Sequence, residues 1–575
     1  MIVLMLFNFY RGFALCIFVY ATFFNALAAQ AEQELIPVVP RQAKDFEKFL
    51  GINLILTNND YGFAEESSIF DEIVLPRMRE LGIKNVRDAT AWGNYTLYRH
   101  SQKLNALEDL GISFYLSTLP ERASMSLADV AEEVEKINCL KNGCTRYIYN
   151  LEPVDSILGL IGPNETDHVA SFLRHCENTN QEIPEGLDWY QRVNFCYAGW
   201  EERLLSYTQN LHSLVKSDQN LNTLKIVAPT LVNLPQYPFH TQSGTEANLW
   251  DLLKPLAQYT DYGSGNLYTW KKTHRWGAIP NEVPMRSSFF ESGGVQQKLI
   301  VTEFGYYTQP LNEFDLDVST AETQSKKMIV SAFDYFQSAQ VEHAFIFELL
   351  DRPSALSSKE ASFGILDSTG NPKPAFHTFK RTMELLKDTT SASQLTPLTI
   401  AVSESSGTVH SQLFLKSSGD YLLALWNDPN LETVDGLDRL QTTTINLAED
   451  YNLSVYRPAL SDQPLQVLTA QRTITLDVPD DLVIIKITSV IPDAPLPPLP
   501  PATCKMKISK KKSYYSLRFE NSAAKSRITL QRKSSQIWKK VWRKTISTSK
   551  SFKFKVSRNR KYRITSSNCG SITLK

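Results

Sequence analysis

The chain has 575 residues, of which 42% are hydrophobic and 11% aromatic, and its formal net charge at pH 7 is −1. The length predicts roughly two to four domains, and the composition excludes a disordered or collagen-like protein. The small net charge is the sum of two parts of the chain that carry opposite charge. Residues 503–575 carry 22 Lys and Arg against a single acidic residue, Glu520, whereas residues 1–502 carry 38 basic and 60 acidic residues. Two parts of opposite charge indicate different roles or partners.

The N-terminus has the pattern of a secretory signal peptide. Arg11 is its only positive charge, residues 13–24 are apolar, and Ala26-Leu27-Ala28 supplies small residues before a cleavage point. We therefore predict a signal peptide over residues 1–29 and a secreted, periplasmic or cell-surface protein. An uncleaved anchor helix is the alternative. Once the signal is removed no transmembrane segment is expected, because no other stretch has the ~18 consecutive apolar residues that a membrane helix needs.

Eight short apolar runs with helix-like spacers follow between residues 45 and 387. They cover residues 51–56, 85–88, 112–117, 157–161, 224–228, 262–267, 299–302 and 344–347. Alternation of strands with helices indicates a parallel sheet, and eight repeats over about 330 residues favour a closed (β/α)8 TIM barrel of the α/β class. The amphipathic segment 69–81 predicts a helix that ends at Gly82. No glycine-rich phosphate loop follows the first run, which argues against a nucleotide-binding fold.

The pattern changes after residue 387. Short apolar runs separated by turn residues predict an all-β sandwich domain over residues 388–490. Residues 491–502 are rich in proline and predict an extended spacer. Residues 503–575 alternate basic and apolar residues, which predicts a small basic β domain. Its charge favours binding to an anionic polysaccharide, an anionic cell envelope or extracellular DNA, and a solvated surface without a specific ligand is the alternative. Specific nucleic-acid recognition is not expected.

Six cysteines remain when Cys16, in the signal segment, is set aside. They form three pairs that are close in sequence, namely Cys139 with Cys144, Cys176 with Cys196, and Cys504 with Cys569. An even number of cysteines in an exported chain favours disulfide bonds, and buried free thiols are the alternative. No pair has the Cys-x-x-Cys spacing or a nearby histidine, so we predict no metal site. No cofactor is expected.

Two glutamates stand at the C-terminal ends of predicted barrel strands. Glu165 follows the fourth apolar run, and Glu303 ends the seventh. Catalytic groups of TIM barrels come from these strand ends, and glycosidic bonds are cleaved by two carboxyl groups, one of which protonates the leaving oxygen. The pair predicts a glycoside hydrolase that uses Glu165 and Glu303 as its two catalytic carboxyl groups. For Glu165 alone, a position near a helix N-cap is the alternative.

The sequence around these glutamates resembles the clan-A glycoside hydrolases. The motifs are Gly162-Pro163-Asn164-Glu165 and Val301-Thr302-Glu303-Phe304-Gly305, with further similar segments at residues 82–88, 363–367 and 370–375. The resemblance spans roughly residues 48–385. The β-xylosidase and exopolysaccharide-endoglycosidase family is the most similar, and the cellulase-like family is next. The resemblance implies a retaining mechanism, with Glu165 as acid/base and Glu303 as nucleophile. In this mechanism Arg87 supports the nucleophile and Asn164 binds the sugar 2-hydroxyl.

The sixth strand departs from that family pattern. Tyr268 stands where many members have a histidine, and Trp270 stands where they have a tyrosine. A tyrosine hydroxyl can still hydrogen-bond Glu303, and an indole can stack on a sugar. Trp92, after the second strand, is a further candidate for stacking, with packing in its loop as the alternative.

The eighth predicted strand also ends in acidic residues. Glu348 and Asp351 are candidates for binding sugar hydroxyls, and ion pairs at the barrel rim are the alternative. The whole pattern predicts a secreted, monomeric, retaining glycosidase that hydrolyses β-glycosidic bonds in an extracellular polysaccharide by double displacement. A non-catalytic carbohydrate- or polyanion-binding protein on a barrel scaffold, or a transglycosylase that uses the same glutamates, are the alternatives.

Overall fold

The structure is a computed structural model that describes most of the first 490 residues. The described residues are 34–57, 69–91, 94–118, 125–146, 148–165, 185–186, 200–231, 239–240, 246–247, 253–269, 272–309, 319–353, 361–388, 390–404, 406–428 and 438–490, with seven strands after residue 504. The predicted signal peptide, the proline-rich spacer, Trp92, Trp270, Cys176, Cys196, Cys504 and Cys569 lie outside them. The chain divides into two compact units, Met1–Val490 and Ile491–Lys575.

Eight strands of the first unit form a parallel barrel. In chain order they are Leu50–Asn53, Asn85–Ala89, Ser113–Ser117, Ile157–Ile161, Lys225–Val227, Gly263–Asn266, Leu299–Phe304 and Val341–Ile346, here called barrel strands one to eight. Strand eight pairs with strand one, and a bridge between Val227 and Tyr262 joins strands five and six. The sheet therefore closes on itself, and the predicted (β/α)8 TIM barrel is confirmed.

A helix follows each barrel strand. These helices are Leu75–Leu81, Asn94–Glu108, Leu127–Asn142, Trp200–Ser217, Lys254–Tyr259, Val283–Phe289, Ala321–Gln337 and Pro374–Leu386, and shorter helical segments are Ala43–Phe49, Phe70–Val74, His274–Trp276 and Ala278–Glu282. The helix predicted over residues 69–81 does end at Gly82, which adopts a left-handed φ of 80°. At the N-terminus of the helix Leu127–Asn142, Ser126 and Asp129 form a capping box.

Barrel strand seven shows why the apolar runs predicted this fold. All six residues of Leu299–Phe304 are buried, including Glu303. Parallel barrel strands are covered on both faces, by helices outside and by the barrel interior inside, so they read as continuous apolar runs. Within the barrel Tyr115, Ile300 and Phe345 pack together. This packed layer fills the interior, so that a substrate can approach only at the ends of the strands.

The second part of the first unit is an eight-stranded β-sandwich sheet. Its strands are Leu398–Glu404, Val409–Leu415, Tyr421–Asn427, Gln441–Tyr456, Gln466–Val478 and Leu482–Ser489, joined by the N-terminal strands Ile36–Val38 and Arg41–Gln42. The predicted sandwich is confirmed, but the two N-terminal strands were not predicted. Alternate residues divide between two cores: Leu423 and Leu425 lie in the core of the sandwich, whereas Trp426 packs on Phe333 of a barrel helix.

Three short hairpins complete the described part of this unit. They are Cys144–Arg146 with Tyr149–Leu151, Phe239–His240 with Glu246–Ala247, and Glu291–Ser292 with Val295–Gln296. Cys139, near the end of a barrel helix, forms the predicted disulfide with Cys144. Among the residues that the structure describes, no helix combines the length and hydropathy of a membrane span.

The second unit contains two antiparallel sheets. One has three strands, Lys505–Lys511, Tyr514–Glu520 and Phe552–Phe554, and the other has four, Ser526–Ser534, Ile537–Ile546, Tyr562–Ser566 and Gly570–Leu574. The predicted C-terminal β domain is thus confirmed as a β structure.

Candidate active site

The structure brings most of the predicted site residues together at the C-terminal rim of the barrel. Arg87 comes from strand two, Asn164 and Glu165 follow strand four, Tyr268 follows strand six, and Glu303 belongs to strand seven. Because the C-terminal ends of parallel barrel strands meet at one rim, residues distant in sequence become neighbours there. Hydrogen bonds connect all five of these residues, directly or through one intermediate side chain.

Glu303 is held by one donor on each carboxylate oxygen. Arg87 Nη1 donates to Oε1 across 2.5 Å, and the Tyr268 hydroxyl donates to Oε2 across 2.8 Å. Glu303 is only 6% exposed, so these contacts act in a medium with little water. The cation and the hydroxyl both stabilise negative charge on the carboxylate and fix its orientation. Tyr268 thus makes the contact that we expected of it in place of a histidine.

Arg87 is itself fixed by residues of other strands. Its Nη1 also donates to Oδ1 of Asn53 across 2.7 Å, and its Nη2 donates to Oδ1 of Asn164 across 2.7 Å. The amide nitrogen of Asn53 donates to the carbonyl oxygens of Thr302 and Ile346 at 3.0 and 3.1 Å. These two bonds leave the amide oxygen of Asn53 turned toward Arg87. The guanidinium is therefore positioned from strands one, four and seven.

Glu165 is connected to the same network through Asn266. The Asn266 amide nitrogen donates to Oε1 of Glu165 across 2.8 Å, and its oxygen accepts from the Thr302 hydroxyl across 2.7 Å. The main-chain N–H of Glu165 donates to the Thr230 hydroxyl across 2.9 Å. This hydroxyl donates in turn to Asn164 Oδ1 across 2.8 Å.

The turn that carries Glu165 has two unusual backbone features. Glu165 has a φ of 49°, in the left-handed region that residues with side chains rarely adopt. Backbone conformations of this kind cluster at functional sites, where the surrounding structure holds them in place. Gly162 lies against Pro229, and a Cβ at this glycine would come within 2.7 Å of the Pro229 nitrogen. The motif therefore needs its glycine for the close approach of the chains after strands four and five.

An aromatic cluster fixes the ring of Tyr268. The ring lies 5.6 Å from that of Phe363 and 6.4 Å from that of Phe347, both in edge-to-face geometry. Phe363 also packs on Tyr307, which is 3% exposed. These contacts restrict the tyrosine to the orientation in which its hydroxyl reaches Glu303.

The main chain next to Tyr268 is held by a buried histidine. The N–H of Leu267 donates to the carbonyl of Glu303 across 2.8 Å, and the carbonyl of Leu267 accepts from His274 Nε2 across 2.9 Å. A carbonyl only accepts, so the proton of His274 is on Nε2, and Nδ1 interacts with the hydroxyls of Ser331 and Tyr306. Burial lowers the pKa of His274 to about 4, so the ring is neutral near pH 7.

The acidic residues after strand eight are arranged as ion pairs. Glu348 is only 1% exposed and lies 3.5 Å from Nε of Arg352, and Asp351 pairs with Lys373 across 2.7 Å. This arrangement corresponds to the alternative considered for them, and sugar binding by Glu348 stays a prediction. Trp92 and Trp270 lie outside the described residues, so their predicted stacking on sugar is untested.

Four residues of this network were not predicted from the sequence: Asn53, Thr230, Asn266 and His274. Asn53 has a recognisable signal, since it is a polar residue that ends an apolar barrel strand, whereas Asn266 ends the strand Gly263–Asn266, which has no apolar run. Thr230 lies three residues after strand five, in the same kind of position. His274 has no such signal, because it lies in a short helical turn without periodicity.

Comparison with known proteins gives a fold but no sequence family. No family model and no curated protein matches the sequence. Among solved structures, the chain is similar to a glucosidase from Croceicoccus marinus at 13% identity, with a TM-score of 0.51 over 79% of this chain and 98% of that one. It is also similar to a family 39 glycoside hydrolase from Bacteroides cellulosilyticus WH2, at 13% identity and a TM-score of 0.48 over 78% and 83% of the two chains. The barrel and sandwich of this chain therefore share the fold of the first of these structures.

Proposed function

We propose that the protein is a retaining glycosidase that hydrolyses β-glycosidic bonds of an extracellular polysaccharide by double displacement. The observation that carries this proposal is the hydrogen-bond network that links Glu303 to Glu165 through Arg87, Asn164 and Asn266. Two carboxyl groups at the ends of barrel strands four and seven are what the reaction requires, one as nucleophile and one as acid/base.

In the first step Glu303 attacks the anomeric carbon, and the bond to the leaving oxygen breaks. The proton on Glu165 moves to that oxygen, so the leaving group departs as a neutral alcohol. The result is a glycosyl–enzyme ester on Glu303 and an ionised Glu165. Arg87 and Tyr268 hydrogen-bond the attacking carboxylate and orient it before the step.

In the second step Glu165 takes a proton from water, whose oxygen attacks the anomeric carbon. The ester bond to Glu303 breaks, and the negative charge returns to the carboxylate between Arg87 and Tyr268. Asn164 accepts from Arg87, Thr230 and Asn266 at its Oδ1. Its amide nitrogen is thereby turned to donate to the sugar 2-hydroxyl, a bond that strengthens in the transition state.

Export and an extracellular substrate are supported by the N-terminal signal pattern and by the Cys139–Cys144 disulfide. Disulfides form and persist in oxidising compartments and are rare in the cytosol. Among clan-A families, the motifs at Glu165 and Glu303 are most similar to those of the β-xylosidase and exopolysaccharide-endoglycosidase family.

The test uses Glu303→Ala and Glu165→Ala on a panel of aryl β-glycosides and polysaccharides. Glu303→Ala should lose hydrolysis by at least about 10⁴-fold, and added azide should restore turnover with an α-glycosyl azide as product. Glu165→Ala should keep more activity on aryl glycosides with good leaving groups, and azide should then give the β-glycosyl azide. Different azide anomers from the two variants assign the two roles separately.

A matched control is Glu384→Gln, a glutamate with a side chain 74% exposed on the last barrel helix, which should leave turnover unchanged. Wild-type turnover by Glu303→Ala would contradict the proposal. Binding of sugars without turnover across the panel would favour a non-catalytic binding protein. Transfer to a sugar acceptor in preference to water would indicate a transglycosylase instead.

A further inference from the structure

The three-stranded sheet of the second unit separates two kinds of residue by face. Antiparallel pairing places Met506, Ile508, Leu517, Phe519, Phe552 and Phe554 on one face. The same pairing places Lys505, Lys507, Lys511, Arg518 and Lys553 on the other, although one further cation, Lys510, shares the face of the apolar residues. Successive residues of a strand alternate between faces, so the alternation of the sequence becomes one apolar face and one basic face.

The four-stranded sheet repeats this division. Its register places Leu530, Trp542, Ile564 and Ile572 on one face. Arg527, Lys533, Lys540, Arg543 and Arg563 occupy the other face, although three further cations, Arg532, Lys539 and Lys544, share the face of the apolar residues. Ile564 is fully buried and the adjacent Arg563 is partly exposed. Within this described pair, the buried residue is thus on the apolar face and the partly exposed residue on the basic face.

These basic faces have almost no internal counter-charge. Glu520 is the single acidic residue in 503–575, and it lies opposite Lys505. Lys507 instead lies directly opposite Arg518, and like charges in such opposite positions destabilise a sheet. Along a strand, residues of one face are about 7 Å apart, and neighbouring strands are about 4.8 Å apart. The faces are thus two-dimensional arrays of cations suited to a polymer that carries many negative charges.

We propose that these basic faces bind an anionic polysaccharide, a sugar chain that carries carboxylate or sulfate groups. Release of the polymer's counterions supplies the driving force. Tyr514 and Trp538 occupy positions on the basic faces, and aromatic rings of this kind stack on sugars. The choice of a polysaccharide over a nucleic acid rests on the proposed function, because attachment to the substrate polymer raises the local concentration of cleavable bonds.

The test measures binding of the full chain to polygalacturonate, to the same polymer fully methyl-esterified, and to duplex DNA of equal total charge. Esterification removes the charge and keeps the sugar backbone. Polygalacturonate should bind at least tenfold more tightly than either of the other two. Binding is measured on the Glu303→Ala background as well, so that hydrolysis does not change the polymer during the experiment.

The decisive variant combines Lys507→Gln, Arg518→Gln and Lys553→Gln. It should weaken polygalacturonate binding at least tenfold. It should also lower the slope of log K against log salt by about two to three, because binding without these three cations displaces fewer counterions from the polymer. The matched control combines Lys48→Gln, Lys387→Gln and Arg472→Gln, three exposed cations of the first unit with side chains 61%, 59% and 63% exposed. The control should stay within twofold of the parent chain.

Equal binding of the esterified polymer, or tighter binding of DNA, would overturn the proposal. So would full polygalacturonate affinity in the triple variant, provided that circular dichroism shows both triple variants folded. The two proposals fail in different ways. If the binding proposal is wrong, selective binding of polygalacturonate is absent while aryl glycosides are still hydrolysed. If the proposed function is wrong, hydrolysis is absent while the binding is unchanged.

Discussion

Arg87 donates from Nη1 to Oε1 of Glu303 across 2.5 Å, although the two residues are 216 positions apart in the sequence. Their side chains are only 7% and 8% exposed. The other guanidinium nitrogen, Nη2, reaches Asn164, the residue before Glu165. A single planar cation therefore positions both Glu303 and the residue next to Glu165. A lysine, with one nitrogen, cannot make both contacts in this geometry.

Arg87→Lys should keep the positive charge and lose this geometry. We expect kcat on an aryl β-glycoside to fall on the order of 10²-fold, because misplacement of a catalytic group by about 1 Å has an effect of that size. Steady-state kinetics give kcat and KM, and a change confined to KM would contradict the role of Arg87 at Glu303. Arg77→Lys is the control, since Arg77 pairs with Glu80 on a barrel helix, and its kcat should stay within twofold.

Tyr268→Phe should remove the donor to Glu303 Oε2 and retain the ring that packs on Phe363. We expect kcat to fall about 10- to 100-fold because one stabilising contact to the carboxylate is lost. The melting temperature should change by only a few degrees. Tyr421→Phe, which removes a hydroxyl from the sandwich sheet, should leave kcat unchanged. Equal kcat in wild type and Tyr268→Phe would show that the hydroxyl does not act on Glu303.

His274 should make stability depend on pH. Burial lowers its pKa from the ordinary value of 6.5 to about 4 in the folded protein. Below pH 6.5 the unfolded chain therefore binds a proton that the folded protein excludes. Stability should therefore fall between pH 6.5 and pH 4, by up to about 3 kcal/mol for this group.

The measurement compares wild type with His274→Gln by urea unfolding at pH 7, 5.5 and 4.5. Glutamine can donate to the Leu267 carbonyl but does not titrate, so the stability of wild type relative to the variant should decrease as the pH falls. His410, whose pKa burial also lowers to about 4, is present in both proteins and cancels in the difference. A pH-independent difference would show that His274 is accessible to protons in the folded state.

Trp426→Phe should weaken the contact between sandwich and barrel. The indole Nε1 donates to Oδ1 of Asp334 across 2.9 Å, and both residues are buried. Loss of this donor and of ring volume should cost about 1–3 kcal/mol and lower the melting temperature in calorimetry. Turnover at 25 °C should be preserved, because the folded population remains dominant. Trp276→Phe, which changes a residue that is 38% exposed, should lower the free energy of unfolding by less. An equal decrease in both variants would argue against a special role of the buried hydrogen bond.

Much of the fold could be predicted because barrel strands are buried on both faces. Strand Ile157–Ile161 and the first three residues of Leu299–Phe304 read as apolar runs, and the order of the strands along the chain placed Glu165 and Glu303 at the rim. The contacts of Arg87 and Tyr268 with Glu303 agree with the support expected from the family resemblance.

The remaining site features depend on contacts that no local pattern encodes. Asn266 is a single polar residue after three residues of a short strand, and only the closed barrel brings it to Glu165. His274 acts through a carbonyl seven residues earlier in the chain. Glu348 has the strand-end position that suggests sugar binding, but its side chain is buried and lies next to Arg352.

The N-terminal strands have a consequence for the order in which the chain assembles. Ile36–Val38 pairs with Leu398–Glu404, and Arg41–Gln42 pairs with Val409–Leu415. During synthesis, the first strands to emerge must wait for the whole barrel to be translated before their partners exist. A shortened version cut at residue 387 would leave these strands as unpaired edges, open to association with other chains. Fragments intended for biochemistry therefore need to extend from before Ile36 to beyond Ser489.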